Sequence, residues 1–305
     1  MAEKILGQFH QLSFNLAVDG VSRFKHRTTN FYPIWMTINE IPLENRFKAE
    51  NIFLVGVYFG VEKPNMNNLL GAIVGQFHKP EPSIIINIDG QLKAASYILF
   101  SLVCDLPAKA AVLNFQGHTA YFGCCSCYIE GTRQENALVF PSTFEQNPRK
   151  QEDLVDILNK LHQHPHLKHF QGVKGESVLC QIPYYDLIQD TCLEYMHMQF
   201  INTCEKIFSL WQIKTEWKFP EKLLSAEMEK IKLPSSMGAF GLNLEEHPKW
   251  KAHSLEILDI VHQFPTFVGK RNAFFMVEPL VMVHSNLFLH VLQKAQWVWC
   301  SQICR

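Results

Sequence analysis

Apolar positions in the first third of the chain fall into strand-length runs closed by turn signals. Residues 12–18 (Leu-Ser-Phe-Asn-Leu-Ala-Val) read as a strand that stops at Asp19-Gly20. Residues 32–41 alternate and are rich in β-formers. Residues 52–59 (Ile-Phe-Leu-Val-Gly-Val-Tyr-Phe) are almost continuously apolar, the pattern of a buried central strand. The period then changes. From Asn65 to His78 the residues Met66, Leu69, Leu70, Ile73, Val74 and Phe77 share one helical face, and Lys63-Pro64 marks the start. A short strand over 84–88 ends at Asp89-Gly90, and 97–104 (Tyr-Ile-Leu-Phe-Ser-Leu-Val-Cys) is the strongest strand pattern of all. Leu106-Pro107-Ala108 opens a helix, with proline in the first turn where a missing N–H costs nothing. The order is β-β-β-α-β-β-α, which predicts an α/β fold.

After Gly131 the chain becomes polar. Residues 132–175 are rich in Gln and His, carry Pro141, Pro148 and Pro165, and contain a helical pattern near 151–162. This stretch reads as an insertion or lid. From 186 onward the spacing predicts helices over 186–211, 221–232, 249–264 and 272–295, punctuated by prolines. Three regions follow: core strands and first helices over 1–131, an insertion over 132–185, and a mostly helical C-terminal half over 186–305.

Composition narrows the class. Of 305 residues, 47% are apolar and 19% charged, which excludes a disordered or low-complexity chain. The 23 phenylalanines predict a core with much aromatic packing. Lys and Arg total 28 against 29 Asp and Glu, so bulk charge does not advertise a nucleic-acid binder. No secretory signal is expected at the start, and no run reaches the roughly 18 apolar residues of a membrane helix, so a soluble intracellular protein is the plain reading. Nine cysteines without an export signal predict reduced thiols rather than a disulfide framework.

Candidate chemistry sits in two places. Asp19 and Asp105 stand at the C-terminal ends of predicted strands, where α/β sheets meet ligands, and two such carboxylates on adjacent strands can share a hard cation. The structural alternative is a turn or helix-cap aspartate, and Asp89 shows how cheaply that signal arises. The second place is Cys124-Cys125-Ser126-Cys127, where Cys124 and Cys127 have the spacing that puts two thiolates on one zinc ion. Further ligands could come from His118, Cys192, His197 or the histidines at 162, 164, 166 and 169; the alternative is a pair of structural thiols. The four clustered histidines read as a solvated loop, and His253, His284 and His290 as packed or surface residues on helices. Arg23, Lys25, His26 and Arg27 could face phosphates but read as a solvated face, and the tryptophans at 211, 217, 250, 297 and 299 read as packing.

Taken together, four segments resemble the catalytic core of a CACTA-type (En/Spm-like) DNA transposase, an enzyme of the RNase H-like fold with three metal-binding acids. They are Asn15 to Val21 with Tyr32-Pro33-Ile34-Trp35 and Asn39-Glu40-Ile41-Pro42; Cys104 to Ala110; Phe115-Gln116-Gly117-His118 leading to Gly123 to Cys127; and Asp190 to His197. The likeness covers residues 12–200 and continues more weakly to about 264. It implies that Asp19 and Asp105 are the first two acids, holding Mg²⁺ or Mn²⁺ for phosphodiester cleavage and strand transfer at transposon ends. It also implies that Cys124 and Cys127 are the family's Cys-x-x-Cys and that Met196-His197 is its Met-His pair, with zinc as a possible ion at Cys124, Cys127 and His197. DNA is the implied partner and the nucleus the implied location.

The chain departs from that pattern at the third acid. The matching stretch is Trp250 to Glu256, and Ser254 stands where the acid belongs. Glu256 lies two residues on, about 200° around a helix, and faces away. A serine hydroxyl is a weak neutral ligand for Mg²⁺, so the triad is expected to be incomplete and catalysis degenerate. Only 18 residues precede Asp19, so no DNA-binding region is expected ahead of the core. The expected function is therefore a transposase-like core. The alternatives are a non-catalytic DNA- or protein-binding module and an unrelated zinc-stabilised α/β protein.

Overall fold

The period-two pattern of the first strand sets the sheet. In a computed structural model of the chain, β1 (Gln11–Val18) turns Leu12, Phe14, Leu16 and Val18 to one face, where all four are buried. The structure describes residues 11–20, 29–79, 83–88, 90–135, 137–141, 147–194 and 196–198. The chain divides into two compact units, Met1–Glu194 and Tyr195–Arg305. The elements below belong to the first.

β2 (Asn30–Ile38) pairs antiparallel with β1, and β3 (Phe53–Gly60) pairs antiparallel with β2. The helical turn α1 (Leu43–Arg46) lies between them. α2 (Met66–Phe77) follows, then β4 (Ser83–Ile88) and the long β5 (Gln91–Cys104). β5 runs parallel to β1. On its other side, the first half of β5 pairs antiparallel with β4, while its last three residues pair parallel with β8 (Thr191–Leu193). The strand order is β3-β2-β1-β5-β4, with β8 attached to β5, so the protein is a mixed α/β structure built on a mixed sheet. A separate hairpin joins β6 (Thr132–Gln134) to β7 (Ala137–Val139).

Helices cover the apolar face of the sheet. Asn65 caps α2 by accepting from the Asn68 N–H at 3.2 Å. The predicted face of α2 packs inward: Met66, Leu70, Val74 and Phe77 are buried, with Leu69 and Ile73 partly so. Phe14, Phe77 and Tyr97 meet within the core as three edge-to-face pairs with ring centres 5.4–6.1 Å apart. α3 (Leu106–Val112) and α4 (Gln151–Gln163) complete the layer, and Leu154 and Ile157 of α4 join the same core as β1.

The opposite face carries a polar ladder that fixes register. Ser101 on β5 donates to Asn15 on β1 at 2.8 Å, Asn15 bonds Asn39, and Ser13 donates through Nα and Oγ to Glu40 at 2.8–3.1 Å. A one-residue slip would break the whole ladder and turn the apolar set to solvent.

Two expectations are corrected. Residues 53–60 form a strand, but among the described residues it pairs on one side only and leaves Phe53, Leu54, Val57 and Phe59 exposed. A run apolar on both faces reads like a buried parallel strand, yet pairing is set by the rest of the sheet. Residues 186–194 are not helical. The Asp186 carboxylate accepts from the Ile188 and Gln189 N–H groups and Asp190 accepts from the Asp186 N–H, which closes a turn that feeds Thr191 into β8. The helices expected beyond 198 lie outside the described residues.

Candidate functional site

The parallel pairing of β1 and β5 brings two aspartates to one place. Its last registered pairs are Ala17 with Val103 and Val18 with Cys104. The next residue on each strand is Asp19 and Asp105, so both carboxylates stand at the same level on neighbouring strand ends, half-buried. The side chain of Asp105 also accepts from the Ala108 N–H at 2.7 Å and caps α3. The cap uses one oxygen and fixes the rotamer of the other.

Tyr32 completes this corner. It lies on β2, and a Cβ added at Gly20 would stand 2.8 Å from its ring, so the phenol fits only because residue 20 is glycine. Burial raises the Tyr32 pKa above its ordinary value, and the negative charges of Asp105 and Asp19 raise it further. At neutral pH the phenol is therefore a proton donor beside two carboxylates. Nothing in the local pattern of β2 singled it out; the signal was Gly20, two residues past the end of the neighbouring strand β1.

The cysteine cluster forms a separate buried loop. Gly123 lies under it, because a Cβ there would stand 2.8–2.9 Å from the carbonyl oxygens of His118, Ala120 and Gly117. Cys124 and Cys127 are both buried and share a hydrogen bond, which together with burial holds the Cys127 thiol protonated well above its usual range. The Ser126 N–H donates to Cys124 Sγ at 3.4 Å, and the Ile129 N–H bonds Cys127. Arg149, only 3% exposed, braces the loop. Its Nε donates to the carbonyls of Cys124 and Cys127 at 3.0 and 3.1 Å, and one terminal nitrogen donates to Gln171 O at 2.7 Å. Its guanidinium stacks on Tyr128 and Phe115, 4.4 and 5.3 Å from the ring centres. The loop was legible from cysteine spacing; the arginine 22 residues later was not.

Other candidate ligands do not converge. The described residues contain no group of three His, Cys, Asp or Glu side chains placed to hold a metal ion. His162 in the last turn of α4 and His164, His166 and His169 beyond it are all exposed, so the loop expected for the four begins only after Gln163. Cys192 lies on β8, with its thiol directed to the carbonyls of Gln189 and Asp190. His197 belongs to the second unit. Ser254, Glu256, the basic segment at 23–27, the three later histidines and the five tryptophans lie outside the described residues. No helix among the described residues is long and apolar enough to cross a membrane. No family model and no curated protein matches the chain.

Carboxylates are the donor type of a hard divalent cation, and strand register brings Asp19 and Asp105 to neighbouring strand ends. Asp19 and Asp105 are the residues that would hold such an ion, and bound there it would supply Lewis-acid stabilisation to an oxygen ligand. This chain's own part is to fix the two carboxylates through strand register and the α3 cap, and to hold a protonated phenol next to them.

Proposed function

We propose that the chain is a transposase-like core of RNase H-like fold that engages DNA through a divalent cation at Asp19 and Asp105, with the cleavage chemistry degenerate. One observation carries the reading: the parallel register of β1 and β5 that ends in two neighbouring aspartates. The topology supports it, with an antiparallel β1-β2-β3 meander, β5 parallel to β1, and β8 parallel to β5 on the far side. The resemblance supplies the substrate class, DNA ends, and the expectation of a nuclear location. Ser254 at the place of the third acid argues that two acids bind a cation and position phosphate without efficient strand cleavage.

The test is DNA binding by the full chain in Mg²⁺ against EDTA, with Asp19→Asn and Asp105→Asn beside it. Cation removal and either substitution should weaken binding to the same degree, and Mg²⁺-dependent nicking should be negligible. Binding indifferent to all three overturns the reading. Robust cleavage abolished by Asp105→Asn would show that the Ser254 assignment is wrong. A structural role for Asp105 has one observation in its favour, the Ala108 cap, and predicts no cation dependence at all.

A further inference from the structure

We propose that β3 is a self-association surface: two copies of the chain pair their β3 strands antiparallel about a two-fold axis at Tyr58 and join their sheets edge to edge. Among the described residues β3 pairs with β2 alone, so alternate N–H and C=O groups along it face away from the sheet. Another strand is the partner that matches such a row in series. Edges of this length are usually blunted by charged residues or proline. From Ile52 to Val61 there is neither. One register shift, between Ile34 and Trp35, disturbs the strand. The pairs from Asn30 with Gly60 to Ile34 with Gly56 stay regular.

The sheet face beside this edge is apolar as well. Trp35 stands opposite Leu54, Pro33 opposite Val57 and Phe31 opposite Phe59. Ala17 extends the first of these rows onto β1. Ala17 alternates with the buried Leu16 and Val18, so the rows lie on the face turned away from the helices. Trp35, Leu54, Val57 and Phe59 are 40–64% exposed there. Edge-to-edge pairing continues these rows from one copy into the next.

Two features select a second copy as the occupant. The first is charge. A strand without charged residues meets itself without repulsion, and the formal net charge of −1 adds no long-range barrier. The second is register. An antiparallel pair related by a two-fold axis sets one residue opposite its own copy, and Tyr58 is the middle of the regular segment from Gly56 to Gly60. With Tyr58 on the axis, Gly56 faces Gly60 and Val57 faces Phe59, each pair occurring twice. An aromatic against a β-branched residue is a favourable cross-strand pair. Further out, Leu54 faces Glu62 and Phe53 faces Lys63, so no like charges oppose each other. β4, at the other end of the strand order, could meet β3 of a copy only head to tail, a contact that builds open assemblies instead of a closed dimer.

The experiment is sedimentation equilibrium of the full chain in reducing buffer, so that no thiol links two copies. Wild type should reach twice the chain mass as concentration rises and go no further. Val57→Lys and Phe59→Glu should each weaken association by about tenfold or more, because each sets a charge against an apolar neighbour at two places. Both substitutions in one chain should restore the dimer, because the register sets each lysine against a glutamate. Misfolding cannot produce that recovery, and far-ultraviolet circular dichroism checks each variant. Val155→Lys, at an exposed apolar position on α4, should leave the dimer unchanged. A monomer at every concentration, growth beyond the dimer, or a dimer indifferent to both single substitutions overturns the surface. A double variant no more associated than the single ones overturns the register at Tyr58.

Discussion

Asp105 caps α3, and in the proposed function the same carboxylate would hold the cation; two substitutions separate the two roles. α3 opens Leu106-Pro107-Ala108, and proline has no N–H to satisfy. The first intrahelical bond runs from the Lys109 N–H to Asp105 O at 2.8 Å. That leaves the N–H groups of Leu106 and Ala108 in need of partners, and the Asp105 carboxylate takes the second at 2.7 Å. Ala108 is 5% exposed, so water cannot easily replace the lost acceptor. Asp105→Ala should therefore cost about 1–2 kcal/mol, the upper half of the range for a lost cap and within that for a buried unpaired donor. Asn caps as well as Asp, so Asp105→Asn should stay within about 0.5 kcal/mol of wild type. Urea unfolding followed by far-ultraviolet circular dichroism reads the difference as a shift in midpoint at constant slope. In metal-free buffer the order should be wild type and Asn together, Ala below. An Asn variant as unstable as Ala would refute the cap argument, and so would an Ala variant as stable as wild type.

Other consequences are as specific. Gly20→Ala should cost about 1–3 kcal/mol by pressing on the Tyr32 ring, and Tyr32→Ala in the same chain should remove most of the added penalty, as a double-mutant cycle in urea would read. Phe14→Ala should cost about 3–5 kcal/mol, because it empties the centre of the Phe14–Phe77–Tyr97 trio. Stability should fall as pH rises above about 9. Burial raises the pKa of the Cys104 thiol and the Tyr185 phenol and pushes Cys125 up to about 11, so these groups stay protonated when folded but ionise when unfolded. Their contribution is complete below the unfolded pKa and is lost toward alkaline pH, by about 1.4 kcal/mol per pH unit for each group in its window; midpoints at pH 8 and pH 10 check it.

Much of the fold was legible because the sheet announces itself locally. β1, α2 and β5 each have a clean period and a chemical stop: Asp19-Gly20, His78, and Asp105 before Leu106-Pro107. The two aspartates were found for the same reason, since a strand end is a local property. What was missed depends on distant partners. β3 was read as buried because its residues are apolar, but burial depends on what packs against it. β8 is three residues long, too short for any period, and exists because the last three residues of β5 offer it an edge. Tyr32 and Arg149 look ordinary in sequence; one gains its role from a glycine just past the end of the neighbouring strand and the other from two carbonyls 22 and 25 residues away.

The paired-aspartate site is most directly tested by Mn²⁺ binding to the full chain, followed by electron paramagnetic resonance of the free ion. Wild type should bind one Mn²⁺ that Mg²⁺ displaces, and Asp19→Asn and Asp105→Asn should each weaken that binding by about tenfold or more, with Cys124→Ser unchanged. Binding of equal strength in wild type and both aspartate variants would contradict the account.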